Sequence, residues 1–585
     1  MISRKSIHTT KSKQKTEHLF KAAIHCQESG RYDEAQKIYQ EILQVNPEHS
    51  ETWFSLGLIR QENNLIHEAV KAFCEAARLN PQYHGFLFSF GLSLVSKKNI
   101  DEAIVVMNCL LKLQPEVAEV HYSLGLIYFH QQQLTFAEQL FKKAIELKKE
   151  YAGAHKDLGR VLMESKRFAE ALESLKEAVS LDPQCHEAFR FMGDINRELG
   201  EYEKAVQAYR AEHALAPERI ECVLDIGLTY LRQQNYGKAV EVFKHVVNQA
   251  PNLTEAHYNL GLSYHKQKKY ALAVHAYTSV LEVDPDNAAA HNDLGMVYDL
   301  LGRPEEAISH YKEVARIEPD NRVAKHILAA LTGEQLQNAH PDYVVSLFDQ
   351  YSELFEVELV EKLKYTVPTK LMETVSEHCN GMVQFDNVLD LGCGTGMCGQ
   401  EFRPVSAKIT GVDLSSKMLA LASRKKVYSS LVQQDIVRYL NKSHELYDLF
   451  IAADVFIYVG ALDAVFDAVR KNSLPQGYFT FSVESCNGSS FWLSPSGRFM
   501  HSRNYIQKLA DTYLFEIEQC TPTGIRLENK AWIPGDLYIL KSNCGLPFQQ
   551  AHLADFVVGN QFGRRYVSAA RGGKYTDSQA PIPIS

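Results

Sequence analysis

The sequence predicts a two-part chain: an all-α solenoid of stacked helix pairs, then an α/β domain with a mostly parallel, doubly wound sheet. Three observations carry that expectation. Eight glycines, from Gly57 to Gly295, recur every 34 residues. Beyond Pro319 the recurrence stops, and apolar runs of strand character take over: "NVLDL", "ITGVDL", "YDLFIAAD", "GYFTFSVE", "LFEIEQC" and "DLYILK". The first of these runs straight into "DLGCGTGMCG", residues 390–399, a turn of nearly bare main chain.

The recurrence defines the first part. Gly57, Gly91, Gly125, Gly159, Gly193, Gly227, Gly261 and Gly295 are each followed twelve residues later by alanine, from Ala69 to Ala307. Ala23 and Ala35 begin the series one unit earlier, giving nine units over about 16–321. Sixteen residues past the small residue stands a large side chain such as Tyr39, Phe73, Phe141, Tyr209 or Phe243. A proline closes each unit except at Lys149, because it cannot continue a helix. Small residues let two helices approach, the ring fills the space beside them, and each pair leaves an apolar face for its neighbour. The pattern resembles the tetratricopeptide repeat, most clearly in Trp53, Leu56, Gly57, Ala69, Phe73, Ala76 and Pro81.

That resemblance implies a concave groove that receives a protein or peptide segment. Its expected lining is Phe54, Leu58, Phe88, Leu92, Tyr122 and Leu126, a charged middle of Lys156, Arg160, Arg190 and Asp194, then Leu224, Leu228, Tyr258 and Leu262. His121, His155, His257 and His291 fall at the position of Trp53 and are read as packing substitutes, not metal ligands.

"NRVAKHILAALTG" and "EQLQNAHPD" read as a capping helix and linker over 322–340, followed by the α/β domain over 341–544. Residues 545–585, which end rich in Gly, Ser and Pro, are expected to be flexible. The glycine turn admits two interpretations. Gly394, Gly396 and Gly399 satisfy G-x-G-x-x-G, the dinucleotide fingerprint. Asp390 precedes the turn, however, and Asp413, Asp435 and Asp454 end later strands. Such acids disfavour a pyrophosphate and suit a cationic, donor-rich ligand. S-adenosylmethionine, with a sulfonium, an ammonium, two ribose hydroxyls and an adenine amine, is the ligand expected.

The domain looks like a Rossmann-like class I methyltransferase. The resemblance implies that Asp390, Gly392, Gly394 and Gly396 cradle the methionine end and that Asp413 accepts the ribose hydroxyls. It further implies that Ser415 and Met418 flank the ribose and adenine, and that Asp435 with Ile436 meets the adenine edge. From about 324 to 541 the chain is similar to bacterial methyltransferases that carry tetratricopeptide repeats, in "YVVSLFDQYSELFE", "LKYTVP", "VLDLGCGTG", "YDLFIAADVFIYVGAL", "SGRFMHSRNYI" and "IRLENKAWIPGDLYIL". Phe355-Glu356 stands where a second F-D is expected.

Acceptor-side candidates are Asp454, Tyr458, Glu484, Arg498 and His501, with Arg498 or His501 suited to bind a carboxylate or remove a proton. "ADVF" occupies the place of the N-P-P-Y signature of amide and amino nitrogen methylation, which argues against base methylation and leaves protein side chains open as acceptors. Phe348, Tyr351 and Phe355 are expected on a helix over the cofactor. Two functions stay open: a methyltransferase whose solenoid binds a partner or the substrate, and a repeat adaptor with an inert or sensory methyltransferase fold.

The gross numbers agree with this reading. A chain of 585 residues exceeds one ordinary core. A net charge of −9 argues against a nucleic-acid surface. No long uninterrupted apolar run proposes a membrane span, and "MISRKSIHTTKSKQKT" is basic without a signal-peptide core. Eleven scattered cysteines, of which Cys393 and Cys398 come nearest to a pair, predict no zinc site and a reducing, cytoplasmic setting.

Overall fold

The computed structural model describes residues 4–351, 356, 358–379, 384–528 and 530–543, so the tail expected to be flexible lies outside the described residues. The chain divides into two compact units, Met1–Val283 and Asp284–Ser585. That division falls inside the predicted array, and the last repeat pair, Ala288–Leu300 with Pro304–Ile317, belongs to the second unit. No helix among the described residues is long and apolar enough to cross a membrane.

In the first unit, helices of thirteen and fourteen residues alternate, as in Ser50–Glu62 and Ile66–Leu79. The first buries Leu56, Gly57 and Ile59; the second buries Ala69, Phe73 and Ala76. A Cβ on Gly57 would lie 2.5 Å from Phe73 Cε1, and Gly193 and Gly227 face Tyr209 and Phe243 at the same distance. The small residue is therefore set by the ring that follows it sixteen residues later. A second recurrence sits in the turns. Asn64, Lys98, Gln132, Lys166, Gln234 and Lys268 all hold φ between 58° and 63°, and Gly30, Gly200 and Gly302 occupy equivalent places. The left-handed residue reverses the chain between the helices of each pair.

The repeat histidines have a definite task. Trp53 Nε1 donates to Pro47 O at 2.8 Å. The Nε2 atoms of His121, His155, His257 and His291 meet the carbonyls of Pro115, Lys149, Pro251 and Pro285 at 2.9, 3.1, 2.8 and 3.1 Å. Each ring places a donor where the indole N–H would be, tying the helix start to the preceding turn.

The second unit continues with the capping helix Arg322–Thr332, stopped by Gly333 at φ 75°, then the helices Pro341–Tyr351 and Val367–His378. Its sheet comprises β1 (Phe385–Leu391), β2 (Ser406–Asp413), β3 (Ser430–Gln433), β4 (Tyr447–Ala452), β5 (Ser473–Cys486), β6 (Phe491–Leu493), β7 (Phe499–Ser502), β8 (Phe515–Glu528) and β9 (Ala531–Ser542). β3, β2, β1, β4 and β5 run parallel in that order; β9 pairs antiparallel with β5, and β8 with β9. β5 pairs with β4 over Leu449–Ala452 and with β7 over Glu484–Cys486, while β9 holds its other edge, so β7 takes over where β4 ends.

Alternate residues of the central strands serve the two faces. Leu389, Leu391, Phe450 and Ala452 join a core with Phe466 and Ile506, whereas Val388, Leu449 and Ile451 join one with Leu371 and Phe402. The strand order reverses between β1 and β4, and in such sheets the crevice outside the strand carboxyl ends at that point receives the ligand.

Candidate active site

A cavity of about 740 Å³ opens there. The ends of β1, β2 and β3 contribute Gly392, Gly394, Asp413, Met418, Asp435 and Ile436; the segments after β4, before β7 and in β8 contribute Asp454, Tyr458, Arg498, Arg526 and Glu528. Val344, Leu347 and Phe348 come from the helix Pro341–Tyr351. Phe348 also meets Tyr458 edge to face, with centroids 5.4 Å apart. The Tyr351 side chain and Phe355 lie outside the described residues. Glu356, at the departure noted in the sequence, pairs with Lys425 Nζ at 2.5 Å.

At the first end the glycine turn folds back on β2: the N–H groups of Gly392 and Cys393 both donate to Val412 O, at 2.8 and 3.0 Å. Gly394 holds φ 52°, and a Cβ there would meet no atom within 4 Å, so its main chain faces open space. Asp413 fixes the turn: its Oδ2 accepts from Gly394 N and its Oδ1 from Ser415 N, each at 2.8 Å. Burial pushes the Asp413 carboxyl up, and these backbone donors oppose the shift. Ser415 Oγ accepts from Met418 N at 3.2 Å and donates to Asp349 Oδ1 at 2.7 Å, tying the helix Pro341–Tyr351 to the end of β2. Asp435 caps its helix through Arg438 N at 2.9 Å while lining the cavity.

Asp390 lies behind the glycine turn. It is buried, is absent from the cavity wall, and its Oδ2 accepts from Tyr428 Oη at 2.6 Å. Burial pushes this carboxyl up to about 7; the Tyr428 bond opposes that rise and the Asp413 charge adds to it. Tyr428 was not legible beforehand. Its hydroxyl also accepts from Gly399 N at 3.2 Å, and its ring fills the places where Gly396 and Gly399 would carry Cβ atoms. Gly396 and Ser415 likewise support the turn from outside the wall.

The second end is an ionic cluster. Arg526, only 4% exposed, reaches Asp454 Oδ2 through Nη1 at 3.0 Å, Glu528 Oε1 through Nε at 3.3 Å, and Glu484 Oε1 through Nη2. Arg498 meets Glu528 Oε2 at 2.5 Å and Glu484 Oε1 at 3.2 Å. Burial raises the Asp454 and Glu484 carboxyls even against these arginines. Asp454 holds φ 59°, a left-handed conformation uncommon for a non-glycine residue, and its N–H donates to Ser482 Oγ at 2.8 Å.

His501, expected on the acceptor side, lies beneath the segment after β4. Its Nε2 lies 3.0 Å from both Val459 O and Gly460 O, its side chain is buried, and it does not line the cavity. Burial pulls its pKa down to about 4, so the ring is a neutral donor bracing the segment after β4. Arg526 and Glu528 were missed as site residues. They sit two apart on β8, and that alternation within "IRLENKAWI" was their one signal. Among the described residues, no group of three or more His, Cys, Asp or Glu is arranged to hold a metal ion.

Comparison with known proteins agrees with this geometry. A family profile described as a methyltransferase domain matches residues 388–477. Tetratricopeptide-repeat profiles match 20–84, 88–154, 156–219 and 252–318, and a TPR-repeat profile matches 227–268. The ubiquinone biosynthesis O-methyltransferase of Erwinia tasmaniensis is 27% identical over 126 residues, 21% of this chain and 51% of that protein. The Photobacterium profundum enzyme of the same name is 23% identical over 158 residues, 26% of this chain and 67% of its own. The chain thus spans about half the length of the Erwinia relative.

Among solved structures, the C-terminal part of a TPR repeat-containing protein from Cytophaga hutchinsonii is 18% identical, with 41% of this chain and 98% of that one covered and a TM-score of 0.37. YrrB, a TPR protein with an unusual peptide-binding site, is 23% identical, with 32% and 96% covered and a TM-score of 0.28. The helix-pair array, the sheet order with its glycine turn, and the profile matches make this chain a tetratricopeptide-repeat protein that carries a class I methyltransferase domain.

Proposed function

We propose that the second unit binds S-adenosylmethionine and transfers its methyl group to an acceptor, and that the repeat array holds a protein segment, a partner or the substrate itself. The observation that carries the cofactor reading is Asp413. Each of its oxygens takes one backbone N–H, which fixes the carboxylate and leaves a second acceptor site on each oxygen for paired hydroxyls. The rest of that end fits the same ligand. Met418, Ile436 and Val437 offer apolar surface for a flat base beside Asp435, and the open main chain at Gly394 leaves room for an amino-acid tail.

When bound, the cofactor supplies an electrophilic methyl group. The chain's own part is to hold the acceptor in line and to receive a proton where the acceptor carries one. Asp454 is the acceptor-facing acid, with Tyr458 and Arg498 beside it. The thiols of Cys393 and Cys398 are pushed well up by burial and stay protonated, so they supply no nucleophile.

Partner binding rests on the repeat array itself, because most of the residues expected to line its groove are engaged within it. Many of them brace neighbouring repeats: Phe54 stacks on Tyr83 with centroids 4.6 Å apart, Tyr122 Oη donates to Asp157 at 2.7 Å, and Lys156 pairs with Glu187 at 2.5 Å. Leu224 is buried, Leu92 is exposed, and Leu126, Leu228 and Leu262 are half-buried.

Calorimetry of S-adenosylmethionine with the full chain tests the cofactor reading. Wild type binds, and Asp413→Asn weakens binding by about tenfold or more, the worth of one lost hydrogen bond to a charged group. No heat from wild type overturns the reading. Binding with no label passed from a methyl-labelled donor to cell extract selects the adaptor reading instead.

A further inference from the structure

The ionic cluster bears on which acceptor the cavity takes, an inference that rests on the methyltransferase reading above. We propose that the acceptor presents an uncharged or cationic hydrogen-bond donor, a hydroxyl or an amine, on an apolar body, and that carboxylate-bearing molecules are rejected.

An arginine facing a cavity ordinarily invites an anion, but here both guanidiniums already lie in ion pairs with acids of the same cluster. All three nitrogens of Arg526 and two of Arg498 point at Asp454, Glu484 and Glu528. Three carboxylates against two guanidiniums leave one negative charge uncompensated. An incoming carboxylate would have to draw an arginine away and strand an acid such as Glu484, only 4% exposed, a costly exchange. Among the described residues lining the whole cavity the imbalance is greater: Asp413, Asp435, Asp454 and Glu528 against Arg498 and Arg526. A donor-bearing head group meets the opposite situation. It brings a donor or a positive charge to a wall that carries more acids than arginines.

Two further features agree. The wall near the cluster is apolar, with Leu359, Leu363, Pro368, Ile457 and Val459, which suits a hydrocarbon body. Asp454 itself is kept in a left-handed backbone conformation by Ser482, a strain that the fold maintains beside the cavity.

The test uses three probes that share one body: benzyl alcohol, benzylamine and benzoate, titrated by ligand-detected NMR into the full chain with and without S-adenosylhomocysteine. Benzylamine and benzyl alcohol are expected to bind about tenfold or more tightly than benzoate, since like charges side by side cost at least that much. Asp454→Asn and Glu528→Gln, both near-isosteric, are expected to shrink the preference of amine over benzoate severalfold. Benzoate binding as tightly as benzylamine in wild type, or none of the three binding, overturns the proposal, and the wild-type comparison decides even where a variant fails to fold. A separate titration of S-adenosylhomocysteine keeps the two readings apart. Cofactor binding without head-group preference sinks this inference alone, and preference without cofactor binding sinks the cofactor reading alone.

Discussion

The two ends of the cavity are built by opposite means. At the glycine turn the contacts are main chain, and one acid, Asp413, organises them through two backbone N–H groups from segments close in sequence. At the far end the contacts are long side chains. Asp454, Glu484, Arg498, Arg526 and Glu528 come from four separate places along the chain and hold one another. A site of the first kind tolerates change in its side chains but not in its turn. A site of the second kind stands or falls as a unit, because its innermost members, Arg526 and Glu484, are each only 4% exposed and satisfy one another.

Of the substitutions that separate the two ends, Arg526→Met should cost most. It leaves Asp454, Glu484 and Glu528 facing Arg498 alone and is expected to cost about 3–5 kcal/mol of stability in denaturant unfolding. A loss below about 1 kcal/mol would mean that the cluster is not mutually dependent. Asp413→Asn should cost less, about 1–3 kcal/mol, because one backbone N–H loses its acceptor, while its effect on cofactor affinity is the larger. Tyr428→Phe comes third, at about 1 kcal/mol, since the packed ring stays and only the bonds to Asp390 and Gly399 go. His121→Phe is the smallest, about 0.5 kcal/mol, the worth of one part-exposed bond to Pro115 O.

Asp390 gives the glycine-turn end a pH dependence of its own. Its folded carboxyl titrates near 7, above the ordinary aspartate range, so the folded chain holds a proton that the unfolded chain releases at lower pH. The stability it contributes is present below the unfolded value and is lost as pH rises through about 7. A cationic cofactor favours the ionised form, so its affinity should rise over the same window. Thermal melts and calorimetry across that window should therefore trend in opposite directions. Asp390→Asn should flatten both, and Tyr428→Phe should move the midpoint upward, because the lost bond had lowered it.

The same contrast explains what the sequence disclosed. Period and contiguity were readable: the glycine that faces Phe73, the six strand runs, and the turn beside Asp413 all leave their mark within a short window. β3 did not, since Ser430–Gln433 is four residues long, lies at the sheet edge and carries no buried residue. The cluster did not either. Arg526 and Asp454 are neighbours only because β8 reaches the sheet through β9, and nothing local to either residue records that pairing. His501 shows the same limit: a histidine within strand β7 reads as chemistry in the sequence, whereas the fold sets the carbonyls of Val459 and Gly460 in front of it. The left-handed turn position escaped notice because Asn, Lys, Gln and Gly share it, and residue type alone does not mark the spacing.

The linker after the capping helix bears on how the protein can be cut. Asn338 bridges to Val459, Ala339 N donates to Tyr458 O at 3.1 Å, and Ala461 N donates to Gln337 O at 2.7 Å. His326 of the capping helix lies 2.8 Å from Gly497 O, one residue before Arg498. Asn338 and Ala339 are themselves part of the cavity wall. A catalytic fragment trimmed at the start of the helix Pro341–Tyr351 would lose masonry from its own chamber, so excision for assay should begin no later than Arg322.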